Sequence, residues 1–119
     1  MLFKVIVAGG RDFSNYALLK SRLDYALQNK VSEGVTIVSG AARGADSLGE
    51  RYAKERGYTI DSHPAKWDEF GKSAGYIRNK EMAQSADALV AFWDGKSRGT
   101  KHMIDLAKQY GLKVIIVNY

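Results

Sequence analysis

The chain has 119 residues, 45% of them hydrophobic and 26% charged, a size and balance that suit one soluble folded domain over residues 1–119. It has no cysteine and two histidines, His63 and His102, far apart, which excludes a disulfide framework and a thiolate nucleophile and leaves no ligand spacing for zinc; neither a metal nor a cofactor is expected. The net charge of +5, with a pI near 9.5, favours anionic partners such as nucleotides or nucleic acid, although the lysines are scattered as on an ordinary solvated surface.

Elements follow in order. Phe3–Ala8 reads as a strand ended by Gly9-Gly10. Residues 16–29 carry Leu18, Leu19, Leu23, Ala26 and Leu27 at helical spacing, with Ser14 or Asn15 as cap. Val35–Val38 is a second strand, Ala45–Arg56 a helix closed by Gly57, and Tyr58–Asp61 a third strand. Ser62–Ser73 is irregular and holds the only proline, Pro64. Ala74–Ser85 is helical, Ala88–Trp93 a strand, Thr100–Tyr110 a helix and Leu112–Val117 the closing strand. No apolar stretch approaches the roughly 20 residues that span a bilayer, and no charged-then-apolar leader opens the chain, so a cytoplasmic protein without membrane contact is expected.

Strands alternating with helices, and apolar on both faces, define an α/β fold with a parallel sheet covered on each side. Right-handed crossovers favour a single doubly wound, Rossmann-like domain with a five-stranded sheet in the order 3-2-1-4-5. Ligands in such sheets bind beyond the carboxyl ends of the strands, at the switch point. Three segments fall there: Gly9-Gly10-Arg11-Asp12, the stretch Ser39-Gly40-Ala41-Ala42-Arg43-Gly44-Ala45-Asp46, and Asp94-Gly95-Lys96-Ser97-Arg98-Gly99-Thr100. Each joins glycine to arginine. Glycine lets a ligand approach the backbone, helix N-termini offer N–H groups, and Arg11, Arg43 and Arg98 can fork onto oxygen pairs, so the pattern points to a phosphate.

Standard nucleotide motifs are absent. Gly71-Lys72-Ser73 and Gly95-Lys96-Ser97 resemble the end of a P-loop, but Lys66 and Val90 stand where its first glycine belongs, and the first turn is not G-x-G-x-x-G. Several side chains carry two readings. Asp46 caps a helix or faces a ligand, and Glu50 is solvated or supplies a carboxylate. Trp67 and Tyr76 anchor a loop to the core or stack on a base. Trp93, Met82 and Met103 read as packing, His63 as a surface loop residue and His102 as an exposed helix position.

The set Gly9-Gly10-Arg11-Asp12-Phe13, Ser39 to Asp46, Arg78-Asn79, Trp93-Asp94-Gly95, Ser97 and Gly99-Thr100 resembles the SLOG superfamily, most closely its YspA-related branch of bacteria and their phages. The resemblance runs from Val5 to Val117. It implies a Rossmann-like fold that binds nucleotides or nucleotide-derived ligands; relatives include phosphoribohydrolases, DprA/Smf proteins that bind single-stranded DNA, and sensors of NAD-derived signals. Phosphoribohydrolases pair an arginine in R-K-x-x-M with a glutamate in G-G-x-G-T-x-x-E. Arg78-Asn79-Lys80-Glu81-Met82 keeps the arginine and methionine, whereas Met103 stands at the glutamate position and cannot serve as a base. No catalytic residue is assigned; Asp46, Glu50 or Asp94 would have to supply the carboxylate.

The expectation is therefore a binding protein for a nucleotide or nucleotide-derived small molecule. Gly9, Gly10, Arg11, Ser39, Gly40, Arg43, Gly44 and Asp46 would cradle its phosphate, with Arg78, Asn79, Asp94, Gly99 and Thr100 completing the site. The alternatives are a single-stranded nucleic-acid binder, using Trp67 or Tyr76 as platforms, and a nucleotide N-glycosidic hydrolase with a non-standard carboxylate. Since relatives often dimerise, the resemblance also allows a homodimer.

Overall fold

The computed structural model describes residues 2–119. Five parallel strands, β1 (Phe3–Gly9), β2 (Val35–Ser39), β3 (Thr59–Ser62), β4 (Ala88–Trp93) and β5 (Lys113–Asn118), form one sheet in the order β3-β2-β1-β4-β5. This is the expected doubly wound α/β topology. Five α-helices connect them: α1 (Tyr16–Leu27), α2 (Ala45–Arg56), α3 (Trp67–Phe70), α4 (Ala74–Ser85) and α5 (Arg98–Gln109).

The period of two along β1 divides the core. Val5 and Val7 face a cluster built with Leu19, Leu23 and Leu27 of α1 and Tyr52 and Ala53 of α2, whereas Ile6 and Ala8 face Met82 and Ala83 of α4 and Met103, Ile104 and Ala107 of α5. Burying a leucine such as Leu19 or Leu23 contributes roughly 2 kcal/mol over leaving it in water. The helix α2 lies so close to the sheet that a Cβ on Gly49 would sit 2.8 Å from the Cβ of Val7. Any larger residue there would push the two layers apart.

Burial on both faces holds for the central strands β1, β2 and β4 but not for the edges. No residue of β3 is buried, and in β5 only Val117 is. At the start of α1, Asn15 Oδ1 accepts from the Leu18 N–H at 3.1 Å, satisfying one of the helix's orphan donors. The helix ends at Leu27 rather than Asn29, because Gln28 and Asn29 are exposed and have no packing to hold them helical; a 3₁₀ turn at Val31–Glu33 follows.

The largest departure from expectation is at residues 62–73. The segment is partly ordered as α3 and a 3₁₀ turn over Gly71–Ser73, which runs directly into α4. Trp67 and Phe70 stand three apart in α3, but four residues are too few to display a helical period in sequence, and all four are exposed.

Candidate functional site

The turn after β1 is braced against β4 and against the start of α2 through the backbone of Gly10. The Gly10 carbonyl accepts from the N–H groups of Phe13 and Ala45, both at 3.2 Å, while the Gly10 N–H donates to the Phe92 carbonyl at 3.1 Å. The start of α2 is thereby docked on the turn after β1. Gly44 is needed for this docking: its φ is +76°, and a Cβ would collide with the Gly10 carbonyl oxygen. Gly9, Gly10 and Gly40 are likewise hemmed in by protein atoms, whereas a Cβ on Gly99 would meet open space.

The loop after β2 closes on itself. Buried Ser39 donates through Oγ to Glu50 Oε2 at 2.7 Å and accepts the Ala41 N–H at 3.0 Å. Ala41 is held at φ +58°, the one non-glycine residue with positive φ among those described, in a conformation that costs an L-residue roughly 1 kcal/mol or more. Asp46 does not cap α2, whose N-cap is Gly44. Its Oδ2 instead accepts the Ala42 N–H at 3.3 Å. Burial pushes the Asp46 carboxyl up to about 6, against the opposing pull of the Ala42 N–H and the Arg78 charge.

Arg78 of α4 reaches across to this loop. Its Nη1 donates to the Gly40 carbonyl and its Nε to Asn79 Oδ1 at 2.9 Å. The Asn79 amide continues the chain toward α5, with Nδ2 donating to His102 Nδ1 at 3.1 Å and to the Gly99 carbonyl at 3.4 Å. Because the Asn79 oxygen is engaged by Arg78, its nitrogen must be the donor, which fixes His102 as neutral with its proton on Nε2. Burial also lowers the His102 pKa, and Tyr76 packs edge-on to its ring with centroids 4.6 Å apart. His102 is thus a half-buried partner of Asn79 rather than an exposed helix position.

The loop after β4 satisfies most of its own donors. Asp94 Oδ1 accepts from the N–H groups of Lys96 and Ser97, both at 2.8 Å, and these bonds hold its carboxyl below the usual range. Ser97 caps α5 by accepting the Thr100 N–H at 3.4 Å, and its carbonyl receives Trp93 Nε1 at 3.1 Å. The N–H groups of Arg98 and Gly99 have no partner among the described residues.

A crevice of about 540 Å³ opens where these parts meet. Gly9, Gly10 and Arg11 line it from the first loop, Asp46 from α2, Arg78 and Asn79 from α4, and Asp94, Gly99 and Thr100 from the third loop. Gly40 and Arg43 line an adjoining cavity of about 260 Å³, which shares Arg11, Ala42, Trp67 and Arg78 with the crevice. Ser39 and Gly44 line neither and act from behind by shaping the loops. Exposed Arg98 also lies outside both.

Lys72 and Gly75 also line the crevice: Lys72 belongs to the P-loop-like run Gly71-Lys72-Ser73, which lacks the motif's first glycine, and no motif marks Gly75. Met82 and Met103 form part of its wall while belonging to the core. Trp67 and Tyr76 both line it, at 50% and 55% exposure, so neither ring is an anchor buried in the core. Among the described residues no group of acidic, histidine or cysteine side chains could hold a metal, and no helix is long and apolar enough to cross a membrane.

Comparison with known proteins agrees with this architecture. The model of the YspA, cpYpsA-related SLOG family matches residues 3–70, and the chain belongs to that family. Gene 61 protein of Mycobacterium phage D29 is 34% identical over 118 residues, covering 94% of each chain. Among solved structures, DNA processing protein A from Helicobacter pylori, described for its single-stranded DNA binding mode, superposes with a TM-score of 0.70 at 21% identity. That match covers 96% of this chain and 64% of the other, so this chain spans less than two thirds of the Helicobacter protein. The structural genomics target TM1055 superposes with a TM-score of 0.67 at 22% identity, covering 96% of this chain and 72% of that one. At these identities the two structures establish the shared fold.

Proposed function

We propose that this chain binds a nucleotide or nucleotide-derived small molecule in the 540 Å³ crevice, with a phosphate held at Gly9, Gly10, Arg11, Arg78 and the first turn of α5. The observation that carries the reading is the meeting around one cavity of two arginines, the Gly99 N–H, which has no partner among the described residues, and two half-exposed aromatic rings. Guanidinium forks and a helix N-terminus suit phosphate oxygens, and Trp67 and Tyr76 suit the face of a base.

The resemblance to a single-stranded DNA-binding protein gives the second reading its support, together with the +5 charge. A stripe of cations is what such a binder needs, and the crevice instead mixes Arg11, Lys72 and Arg78 with Asp12, Asp46 and Asp94. For N-glycosidic hydrolysis, Asp46 is the best placed carboxylate: it lines the crevice with its pKa near 6, whereas Glu50 is bonded to Ser39 and lines neither cavity. The deciding experiment is calorimetric titration with AMP and with a short deoxyoligonucleotide at 50 and 200 mM salt. Binding of AMP with shallow salt dependence is expected. Binding of the oligonucleotide alone, collapsing steeply with salt, would replace this reading with the second.

A further inference from the structure

The smaller cavity differs from the crevice in its charge. Arg11, Arg43 and Arg78 all line it, and no aspartate or glutamate does. None of the three guanidiniums forms a salt bridge with a described carboxylate. Arg78 spends Nη1 and Nε on Gly40 and Asn79, while the side chains of Arg11 and Arg43 have no hydrogen-bond partner among the described residues. Asp46, behind the Ala42 turn, is the counter-charge nearest to Arg78 and Arg11 and lines only the larger crevice; burial is the main cause that lowers the Arg78 pKa, Asp46 pulls the other way, and the Arg11 charge lowers it again. An anion in the small cavity would offset the repulsion between Arg11 and Arg78 and gain paired hydrogen bonds from their free donors and from Arg43.

The position of this cavity limits what that anion can be. It shares Arg11, Arg78 and the half-exposed Trp67 with the crevice, so one molecule can occupy both. With three arginines and no carboxylate in its lining, the cavity of about 260 Å³ has the charge for a phosphate group.

On the reading of the crevice given above, we infer that the small cavity is a second anion subsite, and that the preferred ligand is a small nucleotide with two phosphate groups, one in each cavity. Arg43, which lines only the small cavity, would distinguish such ligands from monophosphates.

The test compares AMP, ADP and adenosine 3′,5′-bisphosphate by calorimetry on the wild-type protein and on Arg43→Ala and Arg43→Lys. ADP carries its phosphates in line and the bisphosphate carries them on either side of the ribose, so their order shows which spacing fits. At least one of the two should bind about tenfold tighter than AMP. Arg43→Ala should weaken that ligand at least fivefold more than it weakens AMP, and Arg43→Lys should recover only part of the difference. Arg43 is exposed and its side chain has no hydrogen-bonded partner among the described residues, so thermal melting should confirm that both variants remain folded.

Equal affinity for all three ligands, or an equal loss for AMP and its two-phosphate counterpart in Arg43→Ala, overturns the second subsite while leaving the crevice reading intact. If none of the three binds, both fall. A 5′-phosphorylated deoxyadenosine pentamer binding tighter than either two-phosphate nucleotide would overturn the small-ligand assignment.

Discussion

Ser39 Oγ donates to Glu50 Oε2 at 2.7 Å from a fully buried position at the end of β2, and the same oxygen receives the Ala41 N–H. One hydroxyl therefore holds the loop after β2 to the second turn of α2. In Ser39→Ala the Glu50 carboxylate and the Ala41 amide both lose their partner. A cost of about 1–3 kcal/mol is expected, read as a lower urea midpoint with an unchanged slope. A change below a few tenths of a kcal/mol would show that water replaces the hydroxyl without penalty.

Asp46 makes stability depend on pH with a definite sign. Its folded pKa, about 6, lies above its ordinary 3.8, so the protonated form is favoured by folding. The stabilisation is complete below about pH 4 and is lost as pH rises through 6. Asp46→Asn removes that dependence. The variant should exceed wild type by about 1–3 kcal/mol at pH 8, and the gap should close at pH 4 in parallel denaturant titrations. A variant less stable than wild type at pH 8 would mean that the attraction of Arg78 outweighs burial.

Arg78 ties three elements together, through Gly40, Asn79 and the Asn79 contacts to α5. Arg78→Ala should lower stability by about 1–2 kcal/mol and weaken AMP at least tenfold. Arg78→Lys keeps the charge but cannot fork to Gly40 and Asn79 together, and should recover little of either loss. Full recovery of AMP binding by lysine in the same titration would reduce the role of Arg78 to simple charge.

Two glycines separate packing from ligand access. Gly44→Ala forces a side chain against the Gly10 carbonyl at positive φ and should cost more than about 2 kcal/mol. Gly99→Ala meets no atom and replaces glycine in the first turn of α5, so it should be neutral or stabilise by up to about 1 kcal/mol. If the ligand approaches the backbone there, the same variant should still bind AMP more weakly. Unchanged affinity would place the phosphate away from Gly99.

Ala41→Gly should release the strain of the loop after β2. Most alanine-to-glycine changes destabilise, but here the left-handed backbone favours glycine, and a gain of up to about 1 kcal/mol in unfolding free energy is expected. A loss in thermal or urea denaturation would indicate that chain entropy dominates.

Local rules made the ends of α2 and α4 and the span of β4 readable from sequence. Gly57, for example, closes α2 in the left-handed conformation that glycine commonly supplies. Strand order followed from alternation and handedness. What sequence could not supply were relationships between distant residues. Asn79 and His102 are 23 positions apart, and nothing near either marks the pairing. The glycines after β1 and β2 are easily taken for ligand contacts, but their crowding depends on which loop stands opposite, and that follows only once α2 has docked on Gly10. The short α3 is hidden for a different reason, its four residues being too few to show a period.

The central position of β1 also orders events during synthesis. Its residues pair with Val35–Val38 on one side and with Ala88–Phe92 on the other. A growing chain can complete the first pairing early, but the opposite edge of β1 stays open until β4 has been made, more than 50 residues after β2 ends. At about 5–20 residues per second, that interval lasts several seconds. Throughout it, Val5, Ile6, Val7 and Ala8 present an unpaired apolar edge to the cell. Ribosome pausing, chaperone capture or premature release within this window should therefore determine yield more than the stability of the finished sheet does.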